Sequence, residues 1–215
     1  MLIKNILDRF FAIILIVLLS PILLIISLAI KVDSRGPIIF KQRRLGKDGD
    51  LFKIYKFRTM YVDAPDIRNK DGSTFNSDND CRVTKVGKLL RKTSLDELMQ
   101  LFNIAKGEMS FIGPRPDLPE QLDKYTNNQL KKLNMKPGIT GYSQAYYRNS
   151  IIAEEKFNND VFYVEKYSIA LDIKILIKTF TSVIFKKNIN NNGYYTINDL
   201  EIDLNEFNNK KKSVD

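Results

Sequence analysis

The stretch from Thr93 to Pro116, T-S-L-D-E-L-M-Q-L-F-N-I-A-K-G-E-M-S-F-I-G-P-R-P, sets two adjacent carboxylates, Asp96 and Glu97, ahead of an arginine, Arg115, clamped between prolines. Carboxylate oxygens suit a hard cation such as Mg²⁺, and a guanidinium held with little freedom suits bidentate contact with phosphate or carboxylate. Both features also have a plain structural reading. Leu95, Leu98, Met99, Phe102 and Ala105 recur at helical spacing, which predicts a helix that starts after Ser94 and stops at Gly107. Ser94 is then a natural N-cap, and Ser94-x-x-Glu97 fits a capping box in which serine and glutamate satisfy each other's backbone donors. Arg115 is equally a rigid turn with an exposed cation. Taken alone, the stretch leaves both readings open.

What the chain lacks narrows the chemistry. With no His and only Cys81, it builds no Ser-His-Asp triad, Cys-His pair or His/Cys zinc site. Any metal must bind through oxygen, and Mg²⁺ typically shares its coordination with substrate phosphates. The lone thiol excludes an intramolecular disulfide and fits a reducing compartment. The balance of 34 basic against 25 acidic residues, a net +9, points to an anionic partner: a phosphate-bearing ligand, a membrane surface or nucleic acid. No G-x-G-x-x-G or Walker A loop is present.

The elements that must position these residues follow from the pattern. The 215 residues divide into a membrane segment at 1–31, a folded domain at 32–187 and a weakly ordered polar tail at 188–215. The apolar run from Phe10 to Ile30 would be roughly 30 Å long as a helix, enough to span a bilayer core. It is too long for a cleaved signal peptide and has no small-x-small site after it. Ser20-Pro21 interrupts it, and proline removes a backbone donor and opposes the preceding turn. A bent re-entrant helix and a spanning helix are both compatible with that break. Lys31, Arg35, Lys41, Arg43, Arg44 and Lys47 crowd its C-terminal side, so that side is cytoplasmic.

Further along, Ile38 to Phe40 and Leu51 to Phe57 read as strands of a small hairpin, with Lys53, Lys56 and Arg58 either solvated or meeting phosphates. Asp63 to Asp80 reads as a loop that contains a D-x-D triplet, Asp78-Asn79-Asp80, of the kind that holds a divalent ion in many glycosyltransferases. Thr84 to Lys92 predicts a basic amphipathic helix, residues 117–135 an amphipathic helix, and Glu154 to Tyr167 a further helix. In Tyr167 to Lys187 a stripe of Ile169, Ile173, Leu176, Phe180 and Ile184 faces either the core or a lipid surface. The fold class is α+β, mostly helical.

Several ordered motifs together resemble the bacterial sugar transferases, and within them the small monotopic phosphoglycosyl transferases. The carriers are Ser20-Pro21 in the apolar run, F-K-I-Y-K-F-R-T-M at 52–60, S-L-D-E-L at 94–98, K-G-E-M-S-F-I-G-P-R-P at 106–116, K-P-G-I-T-G-Y-S-Q at 136–144 and Arg148-Asn149. The resemblance implies transfer of a phosphosugar from a UDP-sugar to a polyprenyl phosphate, with release of UMP. It implies a re-entrant, monotopic anchor in the bacterial cytoplasmic membrane, with amphipathic interfacial helices and a catalytic domain on the cytoplasmic side. Asp96 is then the nucleophile that forms a covalent aspartyl-phosphosugar and Glu97 an Mg²⁺ ligand. Arg115 and Arg148 contact substrate phosphates, and Arg91, Lys56 and Asp172 occupy further polar motif positions. The implied partners are a UDP-sugar, polyprenyl phosphate and membrane phospholipid, with no nucleic acid. Tyr142 stands where relatives commonly carry Trp, and Ala145-Tyr146-Tyr147 replaces a smaller, more polar segment. Two other functions remain as alternatives: a non-catalytic, membrane-tethered basic scaffold, and a direct glycosyltransferase using Asp78 and Asp80 for metal.

Overall fold

A computed structural model describes residues 1–67, 80–147 and 151–184. The predicted tail at 188–215 lies outside them. The described residues are mostly helical with two small sheets. Helix α1 (Leu2–Asp33) is followed by a hairpin, β1 (Ile39–Leu45) and β2 (Leu51–Phe57), then by α2 (Lys85–Thr93) and α3 (Gln100–Lys106). A parallel pair, β3 (Ser110–Ile112) and β4 (Gly138–Thr140), precedes α4 (Tyr142–Tyr146), α5 (Ala153–Glu165) and α6 (Ile169–Ile184).

Helix α1 continues through Pro21. Proline cannot donate to the carbonyl four residues back, which is that of Val17, and the Ser20 hydroxyl donates to that carbonyl at 2.8 Å. Serine ahead of proline thus supplies the hydrogen bond that proline removes. The helix is long and apolar enough to cross a membrane. One stripe packs on the domain: Leu23, Ile26 and Ile30 meet Phe57, Leu90 and Met99, while Ala12 meets Ile54, Leu101, Ile104 and Met109. The opposite face leaves Phe10, Val17, Leu18, Leu24 and Ile25 exposed.

Both ends of α1 are tied to the domain. Near the start, Lys4 pairs with Asp172 at 2.6 Å and Asp8 accepts from the Ser110 hydroxyl at 2.6 Å. At the end, Asp33 accepts from the Val86 N–H at 2.9 Å, and Arg58 donates to the carbonyls of Ser34 and Arg35. Arg58 is therefore neither solvated nor a phosphate contact: it is buried, closing the C-terminus of α1.

The predicted hairpin forms, with β1 running longer than Ile38–Phe40 because its register with β2 extends from Ile39↔Phe57 to Leu45↔Leu51. Thr84 caps α2 by accepting from the Gly87 N–H at 3.0 Å. Gly87 is needed for contact: a Cβ there would lie 2.1 Å from the Thr59 carbonyl oxygen, so only glycine lets α2 approach the chain leaving β2. The single helix expected over 117–135 is replaced by two 3-10 turns, Pro119–Lys124 and Gln129–Asn134. Helical spacing misled there because Lys132 turns inward, 2% exposed, to meet carboxylates. On α6, Ile175 is buried, whereas the predicted stripe of Ile169, Ile173, Leu176 and Phe180 is exposed. The stripe faces away from the core, as the lipid-surface alternative requires.

Candidate active site

Ser94 both ends α2 and stands at the N-cap of the 3-10 turn that follows. It sits at φ 59 with its N–H bonded to the carbonyls of Leu90 and Arg91, and its side chain makes no capping bond. The expected capping box is thus absent. Asp96 and Glu97 instead lie on a 3-10 turn, Leu95–Met99, that feeds directly into α3. The apolar spacing holds across both pieces: Met99 is buried, and Leu95, Leu98 and Phe102 pack on the Leu23–Phe57–Leu90 cluster. Gly107 ends α3 at φ 83, as expected of a left-handed cap.

Glu97 turns to the hairpin, where Lys56 on β2 donates to its Oε1 at 2.6 Å. Burial opposes its ionisation, but Lys56, Arg115 and Arg44 outweigh that and hold its carboxyl below the usual glutamate range. Asp96 differs. It has no ion-pair partner among the described residues, and burial, reinforced by the Glu97 charge, pushes its carboxyl up to about 6 against the pull of Lys56 and Arg91. The adjacent acids are therefore set apart: Glu97 firmly ionised and occupied, Asp96 unpaired and more basic than an ordinary aspartate. A carboxylate raised in this way is a better nucleophile while remaining mostly ionised above neutrality.

Arg91, on α2, donates from Nε to the Thr59 hydroxyl at 2.9 Å, and its charge acts on Asp96. Lys56, Glu97 and Arg115 line one cleft, together with Arg44, Gln100 and Ile139. The guanidinium of Arg115 is exposed, while its backbone N–H is fixed by Asp160 at 3.2 Å. Behind that turn, Lys132 bridges Asp160, at 2.8 Å, and Asp117, which also accepts from the Tyr125 hydroxyl at 2.6 Å. Gly113 and Gly138 allow the β3–β4 backbones to close up at the same turn, a Cβ on Gly138 falling 2.1 Å from the Gly113 nitrogen.

Thus Lys56, Arg91 and Arg115 converge on Asp96 and Glu97. Asp172 has other partners: the Lys4 ammonium and the Tyr163 hydroxyl, the latter at 2.7 Å. Arg148 lies outside the described residues, as does Asp78. Asp80 is fully buried and pairs with the Arg82 guanidinium at 2.9 and 2.7 Å, so it is no metal ligand, and the D-x-D reading loses half its donors. Sequence reading missed Arg44 and the Lys132 cluster. Extending the strand alternation past Phe40 would have put Arg44 on the face of Lys56; Lys132 gave no signal.

No group of three or more His, Cys, Asp or Glu side chains gathers among the described residues. Asp96 and Glu97 are oxygen donors of the type that Mg²⁺ takes, and Glu97 Oε1 already accepts from Lys56.

Comparison with known proteins follows the same line. The profile described as bacterial sugar transferase matches residues 1–186. The chain is 40% identical over 196 residues to the uncharacterized sugar transferase EpsL of Bacillus subtilis, covering 91% of this chain and 94% of that protein. It is 41% identical over 202 residues to the UDP-glucose:undecaprenyl-phosphate glucose-1-phosphate transferase of Klebsiella pneumoniae, covering 90% of this chain and 42% of the relative. It is 38% identical over 188 residues to the UDP-N-acetylgalactosamine-undecaprenyl-phosphate N-acetylgalactosaminephosphotransferase of Aeromonas hydrophila, covering 85% and 44%. The chain thus spans nearly all of the first protein but less than half the length of the latter two.

Proposed function

The chain belongs to the bacterial sugar transferase family, and on that premise we propose that it transfers a phosphosugar from a UDP-sugar to a polyprenyl phosphate, releasing UMP. Undecaprenyl phosphate, the acceptor in the names of its relatives, is the acceptor we assign. The product would begin assembly of a surface glycan or glycoconjugate. The observation that carries this reading is the division of labour in the acid pair: Lys56 occupies Glu97 at 2.6 Å, while Asp96 beside it stays unpaired with its carboxyl raised to about 6.

Two displacements at phosphorus account for the reaction. An Asp96 oxygen attacks the sugar-linked phosphorus, the bond to the bridging oxygen of UMP breaks, and a phosphosugar remains on the aspartate as an acyl phosphate. An oxygen of the lipid phosphate then attacks that phosphorus, and the bond to Asp96 breaks, restoring the carboxylate. Arg115, and Arg148 by resemblance, would take the negative oxygens of the donor, and Arg91 would hold the charge of Asp96 in place. Glu97, with Asp96 beside it, would hold Mg²⁺, which when bound offsets the repulsion between an anionic nucleophile and a diphosphate.

Helix α1 would enter one leaflet and return, seating the protein as a monotopic enzyme on the cytoplasmic membrane with its catalytic domain in the cytoplasm. Attachment of both ends, through Lys4–Asp172 and Asp33–Val86, to one domain supports that placement, because the ends of a spanning helix lie on opposite sides. The exposed apolar stripe of α6 would rest among phospholipids. Labels at the N-terminus and at the Gly46–Asp50 turn should be reached from the same membrane face; access from opposite faces would refute the arrangement.

The reaction is tested by incubating purified protein with UDP-sugars, Mg²⁺ and undecaprenyl phosphate. UMP should appear with at least one sugar. UDP as the product would indicate direct glycosyl transfer, and consumption of no donor would sink the assignment.

A further inference from the structure

Pro114 and Pro116 have no backbone N–H, so Arg115 supplies the only main-chain donor of the Pro114–Pro116 turn. That N–H goes to Oδ2 of Asp160 at 3.2 Å, on α5 and 45 positions further along the chain. Asp160 is buried, and the same Oδ2 takes the Lys132 ammonium at 2.8 Å. Lys132 also pairs with Asp117, two residues past Arg115. The Pro114 carbonyl accepts from the Gly138 N–H at 2.9 Å, which fixes the start of the turn to β4, while Asp160 fixes the arginine itself. No side-chain bond or ion pair holds the Arg115 guanidinium among the described residues, and Arg115 lines the cleft with Lys56 and Glu97. Where that guanidinium reaches is thus set by its backbone.

The other oxygen of Asp160, Oδ1, is buried without a hydrogen-bond partner. A bare buried carboxylate oxygen is costly, and a buried ion pair adds little net stability over an apolar group of similar volume. What Asp160 supplies that an apolar residue cannot is the acceptor for Arg115. We propose that Asp160 is a positioning residue for the reaction: by holding the Arg115 N–H, it sets where the guanidinium meets the phosphate oxygens of the donor. A long side chain magnifies small rotations of its own peptide, and misplacing a binding group by about 1 Å can cost about a hundredfold in rate. The phosphate contact of Arg115 rests on the function proposed above; the hold of Asp160 on its backbone rests on the geometry.

The test is a double-mutant cycle on the full chain in lipid nanodiscs, read by calorimetric titration of UDP and by UMP release, with melting curves confirming the fold. Asp160→Leu, which removes the acceptor at similar volume, should weaken UDP binding about tenfold, the scale of one charge-assisted hydrogen bond put out of reach. It should lower kcat/KM for the donor at least as much. Asp160→Asn, which keeps an acceptor oxygen, should recover most of both. In an Arg115→Ala background, Asp160→Leu should change UDP affinity less than about twofold, because the group it acts through is gone. UDP affinity of Asp160→Leu within about twofold of wild type would overturn the inference. So would losses that multiply in the double variant, since a merely structural role acts independently of Arg115. If Asp160→Leu fails to fold, Asp160→Ala decides in its place by the same criteria. Wild-type protein whose UDP binding depends on this pair yet which releases no UMP would overturn the enzymatic reading alone, and wild-type protein that binds no UDP would overturn both.

Discussion

Two clusters in this molecule have the same composition, a lysine with two carboxylates, and both feel the charge of Arg115. In one, Lys132 lies between Asp117 and Asp160, with the lysine 2% and Asp160 1% exposed, so a single ammonium is shared by both acids. In the other, Lys56 pairs with Glu97 alone, at 22% and 25% exposure, and Asp96 is left over. Sealing gives the first cluster a structural role: burial opposes charge on Asp117, yet Lys132 wins and holds its carboxyl below the usual range. The second remains open to a ligand and keeps one carboxylate uncommitted. The same groups brace a turn where water is excluded and do chemistry where a cleft reaches them.

The sharpest way to break this comparison is to neutralise the uncommitted acid. Asp96→Asn should lower the rate of UMP release by about 10⁴-fold or more, the scale on which removal of a nucleophile acts, with no loss of folded structure by circular dichroism. Asp96→Asn with turnover retained would mean that the open cluster is not the chemical one. Next in size is the sealed lysine. Lys132→Met leaves two buried carboxylates facing each other, so denaturant unfolding should show a loss of about 3–5 kcal/mol, whereas Lys56→Met in the open cluster should cost about 1 kcal/mol. Equal losses would erase the distinction.

The smallest effect concerns pH and is measured in EDTA. The folded value of Asp96, about 6, is raised above the ordinary 3.8, so between these values the folded state binds more protons than the unfolded one. Stability contributed by Asp96 therefore falls as pH rises through that window, and the cost is complete above it. Asp96→Asn should stabilise the protein by about 1–2 kcal/mol at pH 7.5, after allowance for solvent screening, and by little at pH 4. Asp117, shifted downward, behaves in the opposite sense: its contribution is present above the ordinary carboxylate value and is lost as pH falls. A destabilised Asp96→Asn at neutral pH would contradict the assignment of burial as the larger effect.

Much of the fold was legible where local chemistry is strong. Alternation gave the hairpin, Thr84 and Gly107 marked helix ends, and the apolar run announced α1. Reading failed where one side chain has two possible partners. Ser94 and Glu97 match a capping box in sequence, but Ser94, which stands at the N-cap, makes no side-chain capping bond, and Glu97 finds Lys56, 41 positions away, because a full charge outcompetes a backbone N–H. Lys132 is counted as surface by its type and is buried by its partners. Asp80 looked like half of a metal motif and is the counter-charge of Arg82.

The sequence by itself determined the kind of chemistry: no His and one Cys leave oxygen ligands and carboxylates, and the ordered motifs around Asp96–Glu97 and Arg115 name the family. Tertiary structure alone decided which carboxylate is paired and which is left, that Asp172 joins Lys4, and that Arg44 shares a cleft with Arg115. The physical reason is range. Propensity and capping act within a turn of chain and are written in local order, whereas burial and charge pairing depend on groups from β1, β2, the Leu95–Met99 turn and the Pro114–Pro116 turn meeting in a low-dielectric cleft, which no local pattern records.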